Sequence, residues 1–416
     1  MSATEVRSPG VEEFAAGARA WLAERLQPSS ETSGRWGEGS DDVSVFHRLS
    51  FEEERDLLRR AMEWQQEKFD AGYGAITWPV EYGGAGLTPE HDRVYRSIEA
   101  GFATPSGHET FAVTTGLIAP TVRLFGTEDQ QKRFVRRFLR AEELCCQLFS
   151  EPGAGSDLAG LGTQAVRHGD EWVVNGQKVW SSGAQFSGWG ELIARTDPDV
   201  VKHAGMTAFM VPMDAPGVEV RPIKQMSGGS SFNEVFFTDV RLPDSLRLGE
   251  VGEGWKVALT TLGFERGGTG GRGVGGSWER LLGLARWLER TGEPLMRQRL
   301  MSVYVNQRVQ ALNRSRAQAS AASGRPPGPE GSVGKLMWVR GLTEIGQVAA
   351  ELLGPRITAD TGEWGTFAWN DHLLGAPGYR IAGGSDEIQR NIIGERVLGL
   401  PAEPRADRGP WRSIPR

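Results

Sequence analysis

The chain has 416 residues, 39% of them hydrophobic, and a net charge of −6, which allows two or three domains at roughly 150 residues each and excludes a broad basic field for nucleic acid. No apolar run approaches the ~20 residues of a membrane span, and the first residues lack the apolar segment of a secretory signal. The six histidines include no His-x-x-x-His pair, so no metal site is expected, and the adjacent pair Cys145 and Cys146 reads as two buried, reduced thiols of a cytoplasmic protein.

The pattern is helical up to about residue 144. "VEEFAAGARAWLAERL" places Val11, Phe14, Ala18, Trp21 and Leu22 on one face. "FEEERDLLRRAMEWQQEKF" and "TVRLFGTEDQQKRFVRRFL" behave alike. In the latter, Gly126 ends one helix and Thr127 caps the next, with an acidic first turn. Residues 145–247 turn to short strands. "EWVVNGQKVWSSG" predicts a hairpin with Asn175-Gly176 as a type I′ turn, and "MTAFMVPM", "GVEVRPI" and "NEVFFTDVRL" add strands. From about 248 helices return. "SVGKLMWVRGLTEIGQVAAELLG" carries an apolar stripe through Val333, Leu336, Met337, Ile345, Val348 and Leu352, after a loop at "GRPPGPEG". Ser385 is a fitting N-cap for the last helix, with Asp386 and Glu387 in its first turn. The tail from 406 to 416 reads as a loose arm. There is no internal repeat, and the expected fold class is α+β.

Two stretches invite chemistry. "LFSEPGAGSDLAG" sets glycine backbone beside the hydroxyls of Ser150 and Ser156; it is either a loop for the polar edge of a planar heterocycle or an ordinary Gly-Pro turn. In "GEGWKVALTTLGFERGGTGG" a helical pattern runs into a glycine run, which breaks helices at about 1 kcal/mol per glycine. The pair Glu265-Arg266 on that border is either a frayed end with a solvated ion pair or a charged pair where backbone approaches a ligand closely.

These stretches do not stand alone. Together with "ITWPVEYGGAGL", "NGQKVWSSGA", "FFTDVRLP" and "GGSDEIQRNIIGERVLG", in this order over roughly 11–400, the chain resembles the acyl-CoA dehydrogenase family of flavoproteins. The resemblance implies an N-terminal α-helical domain (1–144), a central β-barrel-like domain (145–247), a C-terminal four-helix bundle (248–405) and a tail. It implies FAD between the last two domains. Gln147, Phe149, Ser150 and Ser156 would meet the flavin or the thioester, Trp180 would cover the ring with Ser181 and Ser182 beside it, and Ser385, Asp386 and Glu387 would close the site. Glu265 would be the base that takes the α-proton of an acyl-CoA or acyl-carrier thioester, because the family's other base position is Gly383 here. Arg266 would lie on the substrate side, and Gly383 would offer its N–H to the thioester carbonyl.

An electron-transfer flavoprotein or another acceptor would take the electrons, and the assembly would be a homodimer or homotetramer, or a heteromer. Departures from the family's pattern are Leu288 and Thr291 in its Arg-x-x-Phe-Gly, Glu351 at a glutamine position, and Ala382 at a tyrosine position, which would widen the acyl pocket. A partner subunit without its own catalysis and a flavin monooxygenase on the same fold are the alternatives.

Overall fold

The computed structural model describes residues 9–29, 36–268, 274–322, 328–404, 407 and 409–414, of which 265–268 and 321–322 by backbone alone. Helices open the chain: α1 (Val11–Ala23), α2 (Phe51–Asp70), α3 (Pro89–Glu99), the short α4 (Glu109–Phe111), a π-helix (Ala112–Ile118), α5 (Ala119–Phe125) and α6 (Glu128–Leu139). Phe14, Ala18 and Leu22 of α1 are buried against Trp64, Ile76 and Tyr95. The caps are local and follow the sequence. Ser50 and Thr127 both form capping boxes, with Glu53 and Gln130, and Gly126 closes α5.

Eight strands follow: β1 (Cys145–Leu148), β2 (Gln164–His168), β3 (Glu171–Ser182), β4 (Trp189–Arg195), β5 (Met206–Pro212), β6 (Val218–Ile223), β7 (Phe232–Pro243) and β8 (Arg247–Leu248). They form one sheet in the order β6-β7-β3-β2-β4-β5-β8, with β1 parallel to β4. The two halves meet at a single parallel bridge, Gln164 to Arg195, and fold face to face over Trp172, Leu192, Phe209 and Val235; Trp172 and Phe209 stand edge to face at 5.4 Å. Among the described residues β6 and β8 do not pair, so the sheet is open and the barrel-like expectation is corrected. The outer face of β4 and β5 carries Ile193, Met206, Ala208 and Met210 against Ile118, Val122 and Ala258.

The hairpin expectation is also corrected. Asn175 and Gly176 lie inside β3, at a register shift against β7. Asn175 exchanges hydrogen bonds with Asp239 (Nδ2 to Oδ1 at 3.0 Å, and Asp239 N to Asn175 Oδ1 at 2.9 Å). A side chain on Gly176 would meet Thr163 Oγ1 at 2.4 Å, so the glycine serves close approach within the sheet. The turn between β2 and β3 falls on Gly169 (φ +67°) and Asp170.

The last helices are α7 (Gly254–Gly268), α8 (Trp278–Trp287), α9 (Pro294–Ala322), α10 (Gly331–Leu353), α11 (Ala368–Ile381) and α12 (Asp386–Ile392). α10 packs on α8, α9 and α11 over Leu281, Leu300, Ile345, Val348, Leu352 and Trp369. α7 runs through Glu265 and Arg266 to Gly268, so the pair lies within the helix. No described helix is long and apolar enough to cross a membrane. The tail is not a loose arm where it is described. Trp411 donates from Nε1 to the Gly160 carbonyl at 3.2 Å, Arg195 lies 4.8 Å over its ring, and Lys202 binds Asp157 at 2.7 Å and also Asp407. A buried tryptophan with its N–H satisfied outweighs the polar composition around it.

Candidate active site

Gln147 to Ser156 leaves the end of β1 and is held from beneath. Lys178, fully buried on β3, donates to the Phe149 carbonyl at 3.0 Å and to Glu151 Oε1 at 2.8 Å. Glu151 also accepts from the backbone N–H of Gly162 (2.7 Å) and of Thr163 (2.9 Å). Burial works to raise the Glu151 pKa, yet the Lys178 charge and these donors bring it below the ordinary carboxylate value. Burial pushes Lys178 down to about 8 against the pull of Glu151. Phe149 is buried, Ser150 is half-buried with its carbonyl accepting from Val179 N at 2.9 Å, and Ser156 is exposed. A side chain at Gly153 or Gly155 would meet nothing within 4 Å, so the loop leaves its backbone open. Sequence reading missed Glu151 and Lys178; a lysine directly before the apolar pair Val179-Trp180 in the strand-like "NGQKVW" was the available signal.

Trp180 sits at the second irregularity of β3, between Lys178 and Ser181, with φ +63°. A non-glycine residue there costs of order 1–3 kcal/mol. The strain turns the indole outward, 57% exposed, and turns Ser181 inward with its Oγ unpaired. Ser182 pairs with Phe232 across β7. Phe232 stands 6.1 Å from the Trp180 ring and 5.3 Å from Phe46, and Phe46 stacks on Tyr379 at 4.9 Å. This row of rings brings the β3 segment to α11.

Beyond α11, Ala382 is exposed, and Gly383 (φ +61°) and Gly384 (φ +86°) turn the chain. Gln389 donates to the Gly383 carbonyl at 3.0 Å and Lys335 to that of Gly384 at 2.7 Å. Ser385 caps α12 as expected, accepting from Ile388 N at 3.4 Å. Asp386 is buried; Arg380 donates twice to its Oδ2 (2.9 and 2.7 Å), and Oδ1 is unpaired. Glu387 is exposed.

α7 crosses the outer face of the sheet. Thr261, fully buried, donates to Glu191 of β4 at 2.8 Å and lies 3.0 Å from Thr121 Oγ1. Burial raises the Glu191 pKa to about 8 against that hydrogen bond, so its carboxyl group is neutral at pH 7. Glu191 is the register partner of Gln147, whose Nε2 is buried and unpaired. Glu265 follows Thr261 by one helical turn; the side chains of Glu265 and Arg266 lie outside the described residues.

At the departures, Leu288 packs with the C-terminal core. Glu351 is paired with Arg299 (Nε to Oε2 at 3.2 Å), and Arg290 donates to its carbonyl at 2.7 Å.

Three family models match in chain order: acyl-CoA dehydrogenase, N-terminal domain, over residues 8–142; middle domain, over 146–240; and C-terminal domain, over 252–398. The acyl-CoA dehydrogenase IpdE1 of Mycobacterium tuberculosis is 41% identical over 402 residues, covering 94% of this chain and 98% of that protein. Among solved structures, the Tcur3481-Tcur3483 steroid ACAD has a TM-score of 0.73 at 26% identity and spans 96% of this chain and all of its own. The ChsE4-ChsE5 complex of Mycobacterium tuberculosis has a TM-score of 0.68 at 27% identity over 96% of this chain and 100% of that one.

Proposed function

The chain belongs to the acyl-CoA dehydrogenase family, and on that premise we propose that it oxidises an acyl-CoA thioester to the trans-2-enoyl thioester with Glu265 as the base. The observation that carries this reading is the course of α7. It fixes Thr261 on the sheet beside β1 and sets Glu265 one turn further on. When bound, FAD supplies the acceptor for the hydride leaving Cβ. The residues present fit it: Trp180 offers an exposed flat ring, Gln147 an unpaired buried amide donor, and the Phe149–Ser156 loop an open backbone pinned by Lys178. We assign Gln147, Phe149, Ser150, Ser156, Trp180, Ser181, Ser182, Ser385, Asp386 and Glu387 to holding it.

Glu265 takes the α-proton, and Gly383, turned by its positive φ, directs its N–H to the thioester carbonyl, where charge develops in the transition state. Arg266 lies on the substrate side. A bulky acyl group is supported by exposed Ala382 and by the likeness to a steroid ACAD. Electrons leave to an electron-transfer flavoprotein or a comparable acceptor, and the two unlinked buried thiols suit the cytoplasm.

Assembly is supported by the stripe Met301, Val305, Val309 and Leu312, exposed along α9 at helical spacing. A heteromer fits better than a homo-oligomer. Leu288, which packs with the C-terminal core, stands where the resemblance implies an arginine for the FAD diphosphate across a subunit interface, Glu351 adds a carboxylate paired with Arg299, and the two structural relatives are two-protein assemblies by name.

The test is anaerobic bleaching of the flavin on adding acyl-CoA. Glu265→Gln should keep the yellow colour and lower the bleaching rate about 10²–10⁴-fold, the usual worth of a general base. Bleaching at the parent rate would show that Glu265 is not the base.

A further inference from the structure

Between α1 and α2, residues 36–50 form a strap that crosses all three domains. Ser44 O accepts from Gly275 N at 3.0 Å, Arg48 pairs with Asp371 of α11 at 3.2 Å, and Phe46 lies between Phe232 and Tyr379. The next residue, His47, faces Glu54 on the first turn of α2. Glu54 Oε1 accepts from His108 Nε2 at 2.8 Å and lies 3.1 Å from His47 Nε2, which is out of line for a hydrogen bond. Glu54 Oε2 accepts from Gln185 Nε2 at 3.2 Å. Burial opposes the charge on Glu54, but the two rings hold its pKa at about 2, and Glu54, with Glu109 and Asp42 behind it, raises that of His47 against burial.

The three ligand-type atoms lie close enough for a metal ion, yet the donor set is wrong for one. His108 Nδ1 accepts the Thr110 N–H at 3.2 Å, so Nε2 carries the ring proton and has no lone pair to give.

Another chemistry suits the place better. Among the described residues, buried polar atoms of His47, Glu109, Thr110, Ser181, Gln185 and Ser231 have no hydrogen-bond partner. Thr110, Ser181 and Ser231 are each at most 2% exposed. An unmade bond of this kind is costly, and buried polar groups are ordinarily paired. Their concentration is therefore a feature of this junction. It also lies beside the β3 segment assigned to the cofactor: a Cβ on Gly183 would fall 2.0 Å from Thr110 Oγ1, Gly183 N donates to Ser231 O at 3.3 Å, and Gly183 follows Ser182 directly. The π-helix that begins at Ala112, an element that recurs at functional sites, packs on α7.

We infer that this junction is the far end of the acyl site, where His47, Thr110 and Gln185 hydrogen-bond a neutral oxygen function, a hydroxyl or oxo group, on a ring-bearing acyl chain. The inference rests on the dehydrogenase reading above. Three carboxyl groups, Glu54, Glu109 and Asp42, already lie about His47, so a further carboxylate on the acyl group is repelled. His47 and Thr110 supply donors, Gln185 Oε1 and Thr110 Oγ1 acceptors, and Phe46 an aromatic wall.

The experiment uses the FAD-loaded protein with cyclohexylpropanoyl-CoA and three derivatives carrying a ring hydroxyl, oxo or carboxylate group. Binding is followed by calorimetry and turnover by anaerobic bleaching. The hydroxyl or oxo derivative should bind about tenfold or more tighter than the parent, because the parent leaves buried polar groups unpaired, and the carboxylate should bind worst. His47→Phe and Thr110→Val should each bring the oxygenated derivative down towards the parent, whereas Thr110→Ser should keep the preference. Equal affinities, a carboxylate that binds tightest, or variants that retain the preference would overturn the proposal. A preference without bleaching by any thioester supports this site and overturns the dehydrogenase reading; bleaching without a preference does the reverse.

Discussion

Two carboxyl groups within the β domain reach opposite charge states. Glu151, in the loop after β1, meets an ammonium and two backbone N–H groups and is ionised. Glu191, on β4, meets one threonine hydroxyl and is neutral, its second oxygen unpaired. Burial alone neutralises a carboxyl group; only converging donors and an opposite charge reverse that. The ionised acid stiffens the loop assigned to the cofactor. The neutral one joins β4 to α7 without adding a charge near Glu265, the base proposed above.

Breaking the ionised side should have the larger effect. Lys178→Met leaves Glu151 charged without its cation and should cost about 3–5 kcal/mol, as loss of one partner of a buried pair does, with weaker FAD retention. Urea unfolding and flavin release measure both; a loss below about 1 kcal/mol would show that the pair does not hold the loop.

The neutral side shows in pH dependence. The folded pKa of Glu191, about 8, lies above its ordinary 4.5. Between those values the folded state holds a proton that the unfolded state has lost, so its contribution is full below about 4.5 and declines as pH rises towards 8. The slope is up to about 1.4 kcal/mol per unit. Lys178, depressed to about 8, acts in the opposite sense and only above that pH. Unfolding between pH 5 and 8 should therefore show a decline in the parent that Glu191→Gln flattens. A parallel decline in the variant would mean that Glu191 is ionised. Thr261→Val removes the hydroxyl that Glu191 accepts from and should cost about 1–2 kcal/mol while extending the same decline to higher pH, because that hydrogen bond holds the Glu191 pKa down.

The smallest change concerns the outer support of the Glu151 loop. Trp411→Phe keeps a ring under Arg195 but loses the bond to Gly160, at about 1 kcal/mol. FAD affinity should fall with it by a few-fold, and unchanged flavin titration would confine the tail to stability.

What the sequence determined by itself was local. Helix caps at Thr127 and Ser385, the apolar stripe of α1, that of α10 at Ile345, Val348 and Leu352 (though not at Val333, Leu336 and Met337, which stay half-buried), and the order helices–strands–helices follow from contacts within a turn or two of the chain, where residue type and spacing suffice. The motifs that carry the family resemblance were likewise legible, because each is a contiguous stretch. Asn175-Gly176 was misread as a turn because its fate depends on pairing with Asp239, far away in sequence. The open sheet was decided by the absence of pairing between β6 and β8 among the described residues, and the docking of the tail by Arg195, Lys202 and Gly160. Lys178, Glu191 and Glu54 are buried polar residues whose partners lie far away in sequence, and nothing in their own segments names one. Their charge states belong to the tertiary structure, because desolvation and hydrogen bonding depend on which distant groups the fold brings within about 3 Å.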